Sequence, residues 1–236
     1  MDIQLNYAVL GEGFPLVLLH GNGDDLTYFR NQMEPFARHF QLIALETRGH
    51  GQSPRGTGPF TLDRFADDLR DFLDSRGIGR CHLLGFSDGG NIALLFAMKY
   101  PQYLEKLVVD GANLTPASMT AGTLAPILAG WCGYAPLSLV SRRARRKWEL
   151  LNLMATQPHI TARGLSTIQA PTLVLAGEHD IAPERHTRYI AASIPGAVCR
   201  ILPGDHCTAR KNPEAFNRTV LDFLLDRPQS GPEREG

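Results

Sequence analysis

The chain has 236 residues, 43% of them hydrophobic, and balances Lys+Arg 24 against Asp+Glu 24. Formal neutrality removes the whole-molecule field that would gather nucleic acid or an anionic membrane, and the apolar share at this length suits one sizeable core. A small-molecule partner is the expectation, with neither nucleic acid nor membrane as a partner.

In chain order, Ile3 to Leu10 reads as an extra strand that closes one edge by a hairpin through Gly11-Glu12-Gly13. Pro15 to His20, Gln41 to Glu46, Cys81 to Phe86, Lys106 to Asp110, Thr172 to Glu178 and Ala197 to Pro203 follow as short, near-continuously apolar runs. Such runs are strands covered on both faces. Helical spacing fills Asp24 to Arg38, Thr61 to Ser75, Asp88 to Tyr100, Pro183 to Ser193 and Pro213 to Leu225, with Asp24 and Thr61 as N-terminal caps. Alternating strands and helices predict an α/β fold, a mostly parallel twisted sheet flanked by helices.

The alternation stops between Asn113 and Thr167, in Ala-, Leu-, Gly-, Pro- and Arg-rich text. The expectation is a core made of 1–112 and 168–227, a helical cap inserted at 113–167, and a disordered tail at 228–236, where little can be buried. The four cysteines, Cys81, Cys132, Cys199 and Cys207, show no C-x-x-C spacing. The N-terminus lacks a basic patch ahead of an apolar run, and no apolar run approaches about 18 residues. A reduced, cytoplasmic chain is expected.

Gly85-Phe86-Ser87-Asp88-Gly89 fits G-x-S-x-G between a buried strand and a helix, a context that lifts a strained serine above the sheet edge. A nucleophilic serine needs a base and a group to orient it. His206 follows the last strand in Leu202-Pro203-Gly204-Asp205-His206, and Asp180 follows the preceding strand in Gly177-Glu178-His179-Asp180. Both emerge at the strand ends that display Ser87. Asp110 closes another strand at that edge and is the fallback acid. His20-Gly21-Asn22-Gly23 would offer the Asn22 amide, to pair with that of Asp88, for a developing oxyanion. Neither a metal nor an organic cofactor is called for.

Together HGNG, ETRGHGQS, GFSDGG, GEHD and GDH, in this order, resemble the α/β-hydrolase superfamily from about Gly11 to Leu225. The GFSDGG wording also resembles the valacyclovir hydrolase and C–C bond hydrolase branch. The resemblance implies a serine hydrolase acting on an ester, lactone or thioester. C–C bond hydrolysis, acyl transfer and perhydrolysis use the same residues, and a low-turnover receptor would keep the same fold. Glu46 stands where many relatives carry Asp and is expected to alter loop packing. The short N-terminus leaves room for one strand fewer than the usual eight. His20 and His50 are expected to hold loops, His179 to point away, and Cys207 to pack.

In the cap, Arg142, Arg143, Arg145, Arg146 and Lys147 lie close together with only Glu149 nearby. They form either a solvated helix face or, in the sharper reading, an arginine that binds a substrate carboxylate. Leu124, Ile127, Leu128, Trp131, Leu139, Trp148, Leu151 and Met154 are candidates for an apolar pocket.

Overall fold

A computed structural model describes residues 2–227; the tail expected to be disordered, 228–236, lies outside the described residues. Seven strands form one sheet: β1 (Tyr7–Leu10), β2 (Pro15–Leu19), β3 (Gln41–Leu45), β4 (Cys81–Phe86), β5 (Leu104–Asp110), β6 (Thr172–His179) and β7 (Val198–Asp205). Their order is β1-β3-β2-β4-β5-β6-β7, parallel throughout except for β1. The α/β class and the parallel sheet expected from the alternation are therefore present.

Alternate residues of the parallel strands feed two cores, as a period of two requires. Val17, Leu19, Ile43 and Leu45 face helices α2 (Leu62–Ser75), α3 (Asp88–Lys99) and α7 (Glu184–Ser193). Leu16, Leu18 and Leu42 face α1 (Arg30–Ala37), α8 (Thr208–Lys211) and α9 (Pro213–Leu224). Between β5 and β6 run α4 (Ala121–Leu137), α5 (Arg142–Thr156) and the short α6 (Ala162–Leu165). Four bonds tie α5 and its end to core loops: the Arg55–Glu149 ion pair at 2.9 Å, Arg146 to Gly49 O at 3.2 Å, Asn22 to Leu150 O at 3.1 Å, and the Leu62 amide to Gln157 at 2.9 Å.

Two expectations need correction. The first strand makes no hairpin with the second; β1 pairs antiparallel with β3, Tyr7 opposite Leu45. The reason is that β2 already has parallel partners on both sides, β3 and β4, so no side of β2 is free and β1 takes the outer edge of β3. The expected helix from Asp24 is split into a 3₁₀ turn, Leu26–Phe29, and α1, and its cap is Asp25, whose carboxylate accepts the Thr27 amide at 2.8 Å. Thr61 caps α2 as expected, accepting the Arg64 amide at 3.2 Å.

The sheet reverses its order of addition between β2 and β4, so the loops after these two strands lie side by side; such switch points are where open α/β sheets build their sites. Beside that point Arg48 is fully buried and donates to both oxygens of Asp68 at 2.7 and 2.8 Å and to Asp2 at 2.5 Å. Removing one member of a buried pair strands the other charge. Asp68→Ala is accordingly expected to lower stability by about 3–5 kcal/mol in urea unfolding, and the paired change Arg48→Met with Asp68→Leu to cost less than Asp68→Ala alone.

Candidate active site

Strand β4 ends at Phe86 and α3 begins at Asp88, so Ser87 alone makes the turn. Its backbone takes φ 54° and ψ −120°, a conformation that a side chain adopts only under constraint. The Ser87 amide donates to Asp110 O at 2.8 Å, and its carbonyl accepts from the Asn91 amide at 3.0 Å. A Cβ on Gly85 would lie 2.1 Å from Gly89 O, and one on Gly89 would lie 2.2 Å from Leu19 O. Strand and helix can close around Ser87 only because neither position carries a side chain.

His206 comes from the loop between β7 and α8, and Asp180 from the turn after β6. His206 Nε2 is 3.0 Å from Ser87 Oγ, and His206 Nδ1 is 2.6 Å from Asp180 Oδ1. Asp180 is held in turn: Oδ1 accepts the Ile181 amide at 2.6 Å and Oδ2 the Gly177 amide at 3.2 Å. A carboxylate on Nδ1 sets the tautomer that leaves Nε2 free to accept the serine proton. Burial pushes the imidazole pKa down, but the bond to Asp180 and its charge outweigh burial and raise it.

Asp110, the alternative acid, makes no hydrogen bond to His206. It is fully buried, and the Thr208 hydroxyl is 3.4 Å from each of its oxygens. Burial, and then the charge of Asp180, push its pKa up to about 8. The next residue, Gly111, has φ +62°, and a Cβ there would come within 2.8 Å of the His206 ring. Ring and backbone thus touch where the imidazole meets Asp180.

Asn22 and Asp88 face the same space as Ser87. The Asp88 amide, first in α3, has no acceptor within the helix. Side chains hold these two residues together: Asn22 Nδ2 donates to Asp88 Oδ2 at 2.9 Å, and Asn91 Nδ2 to Asp88 Oδ1 at 3.2 Å. Asn91 also accepts the Asn113 amide at 3.0 Å. Burial raises the Asp88 pKa against these bonds. His20 and His50 hold loops: His20 Nε2 accepts the Thr47 amide at 3.1 Å, and His50 Nδ1 lies 3.1 Å from Arg48 O. Burial lowers both pKa values, that of His50 to about 4, so both rings stay neutral at pH 7. Glu46 packs a loop, accepting from Asn6 at 2.9 Å and from the Gln52 amide at 2.6 Å.

Above Ser87 lies a cavity of about 210 Å³ lined by Gly21, Asn22, Asp24, Phe86, Asp88, Asn113, Met119, Thr123, Ile127, Met154, Ile181, His206 and Cys207. Of the candidate apolar residues between 113 and 167, only Ile127 and Met154 line it. Leu139 is 86% exposed, Leu151 packs at Gly130, and Trp131 donates to Asn152 at 3.0 Å. None of the five clustered cations lines this cavity; Arg142, Arg145 and Arg146 line a separate groove with Gly49, Arg55 and Phe60. Among the described residues, no group of three or more His, Cys, Asp or Glu could hold a metal ion.

A model of the alpha/beta hydrolase fold matches residues 15–160. The chain belongs to the α/β-hydrolase family. This α/β hydrolase is 30% identical to the serine hydrolase BPHL of Mus musculus, over 94% of its own length and 83% of that protein's. It is also 30% identical to a hydrolase from Pseudomonas aeruginosa, with a TM-score of 0.77 and 94% of each chain covered. The enol-lactonase of Burkholderia xenovorans is 25% identical, with a TM-score of 0.78 over 94% of this chain and 97% of that one.

The sequence reading of this α/β hydrolase missed Asn91, Asn113, Met119, Thr123 and Ile181. Asn91 alone left a signal, a polar residue inside the apolar run Asn91 to Met98, four positions after the serine. For the imidazole the expected outcome is a His206 titration midpoint above the ordinary value of about 6.5, read by NMR. Asp180→Asn removes the main raising partner, and Gly111→Ala displaces the ring from it. Each change should move the midpoint down, and an unmoved midpoint would contradict the pairing.

Proposed function

We propose that this hydrolase cleaves a small acyl compound, a carboxylic ester, lactone or thioester, through an acyl-enzyme on Ser87. The carrying observation is the unbroken hydrogen-bonded series Ser87 Oγ, His206 Nε2, His206 Nδ1, Asp180 Oδ1 at 3.0 and 2.6 Å, headed by a serine held in strained backbone. His206 takes the Ser87 proton as the oxygen attacks the acyl carbonyl, and Asp180 orients the ring and stabilises the imidazolium. The Asn22 and Asp88 amides donate to the tetrahedral oxyanion, each such donor being worth roughly 10²–10³ in rate. Imidazolium then protonates the leaving group. Water repeats the sequence on the acyl-enzyme and frees Ser87.

The size and polarity of the cavity bear on the acyl group. About 210 Å³ is below the range of roughly 300–1,000 Å³ usual for ligand pockets and favours a short acyl chain against Met119, Ile127, Met154 and Ile181. Its lining residues include Asp24 and Asp88 and no Arg or Lys, which favours a neutral acyl group over a carboxylate-bearing one. The names of the relatives, a serine hydrolase and an enol-lactonase, support the same reaction class.

Turnover of short neutral esters and lactones, beside carboxylate-bearing esters of equal size, tests both parts. Ser87→Ala is expected to lower kcat by about 10⁴ or more on every active substrate, and the neutral ester to exceed its anionic match. Turnover surviving in Ser87→Ala would remove the mechanism, and a preference for the anionic ester would remove the neutral acyl group.

A further inference from the structure

From Gly111 to Ser141 the chain holds no Asp, Glu, Lys, Arg or His, and then five of the six residues Arg142 to Lys147 are cations. The fold puts this abrupt change on its outer surface. Helix α4 spans 17 uncharged residues, and none of them is buried. A helix without a polar face ordinarily lies inside a protein. The inner side of α4 supplies Thr123 and Ile127 to the Ser87 cavity, while Leu128 and Leu137 stay exposed outside. The turn into α5 then raises Leu139 and Val140, 86% and 84% exposed. The largest exposed aliphatic side chains of the cap thus stand directly beside its cations.

Arg146 donates to Gly49 O and Lys147 lies over the Tyr134 ring, but the local physics of α5 does not account for the cations at its start. They occupy its first turns, where the helix dipole favours anions, and the first turn contains no acidic residue. Arg142 is three and four positions from Arg145 and Arg146, and Arg143 is three and four from Arg146 and Lys147, so like charges are stacked on neighbouring turns. Among the described residues, neither Arg142 nor Arg143 has a carboxylate partner, and Arg145 reaches Glu149 only at 4.0 Å. An anionic surface on this apex would answer the repulsion that the helix itself leaves standing.

We propose that the cap apex docks on an anionic lipid surface. Leu137, Leu139 and Val140 enter the boundary between headgroups and acyl chains, and the cations at the start of α5 meet headgroup phosphates. The neutrality of the whole chain does not oppose this, because the charge is local and acts within a Debye length of the surface. A second copy of the chain fits less well: two-fold pairing of the apex would bring two basic clusters together. Docking would lay α4 between the bilayer and the cavity. It goes beyond the proposed reaction and does not depend on it.

The test sediments the full chain with phosphatidylcholine vesicles, with and without phosphatidylglycerol. Expected are pelleting with the mixed vesicles, at least about tenfold weaker binding to phosphatidylcholine alone, and a loss of about tenfold when salt rises from about 0.1 M to about 1 M. Leu139→Ser with Val140→Ser, and separately Arg142→Ser with Arg143→Ser, should each lose most of the binding while melting at the wild-type temperature. A chain that stays in the supernatant with every vesicle overturns the proposal, as does equal, salt-insensitive binding to both kinds. A wild-type dimer dissolved by the Leu139 and Val140 changes would assign the apex to a second copy instead. Capture on polyglutamate in place of vesicles would assign it to an acidic protein.

Discussion

The structure depends on one turn of backbone. At Ser87 the chain leaves a parallel strand and enters a helix with no connecting residues, and the resulting φ of 54° is tolerated because neighbours hold it from both sides. The amide is bonded to Asp110 O in the adjacent strand, and the carbonyl accepts from Asn91 one turn into α3. Everything that makes the site then follows from adjacency in the sheet. The order β3-β2-β4-β5-β6-β7 puts the Asn22 loop on one side of the turn and the loops carrying Gly111, Asp180 and His206 on the other.

The same order gathers carboxyl groups, and their hydrogen-bond donors set them apart. Asp180 is ringed by donors, His206 Nδ1 and the Ile181 and Gly177 amides, which stabilise its charge. Asp110 has only a hydroxyl at 3.4 Å and a pKa pushed up to about 8. The imidazole bonds to Asp180, with Nδ1 2.6 Å from Oδ1. Gly111 lets the ring approach closely enough for that bond to form.

Much of this was legible because the α/β pattern ties chemistry to strand ends. Ser87, Asp180 and His206 each follow a strand-like run, so pattern alone placed them at one edge, although the run before His206 is the half-buried edge strand β7. Asp180 is preferred to Asp110 in the sequence because it follows the strand just before that of His206, and in the structure its Oδ1 lies 2.6 Å from Nδ1. The first strand was misread because a Gly-Glu-Gly turn looks like a hairpin, and nothing local reveals that both edges of β2 are already taken. The cavity lining was the least legible part. Residues of α4 are apolar all round, so periodicity does not say which of them turn inward; Thr123 does, and Leu124 does not line the cavity. Arg48 read as part of a Gly-rich loop, although its partner Asp68 lies 20 residues away on a helix.

Helix α4 shows one side to the cavity and the other to the exterior, while Asn22 ties α5 to the loop beside Ser87. The claim on which the rest stands is that this serine is activated. Intact-mass measurement after treatment with a fluorophosphonate probe addresses it directly, because the probe reacts with an activated serine whatever the natural substrate. One adduct on the wild-type chain and none on Ser87→Ala is the predicted result. An adduct on both proteins, or on neither, would contradict the assignment of Ser87 as the nucleophile.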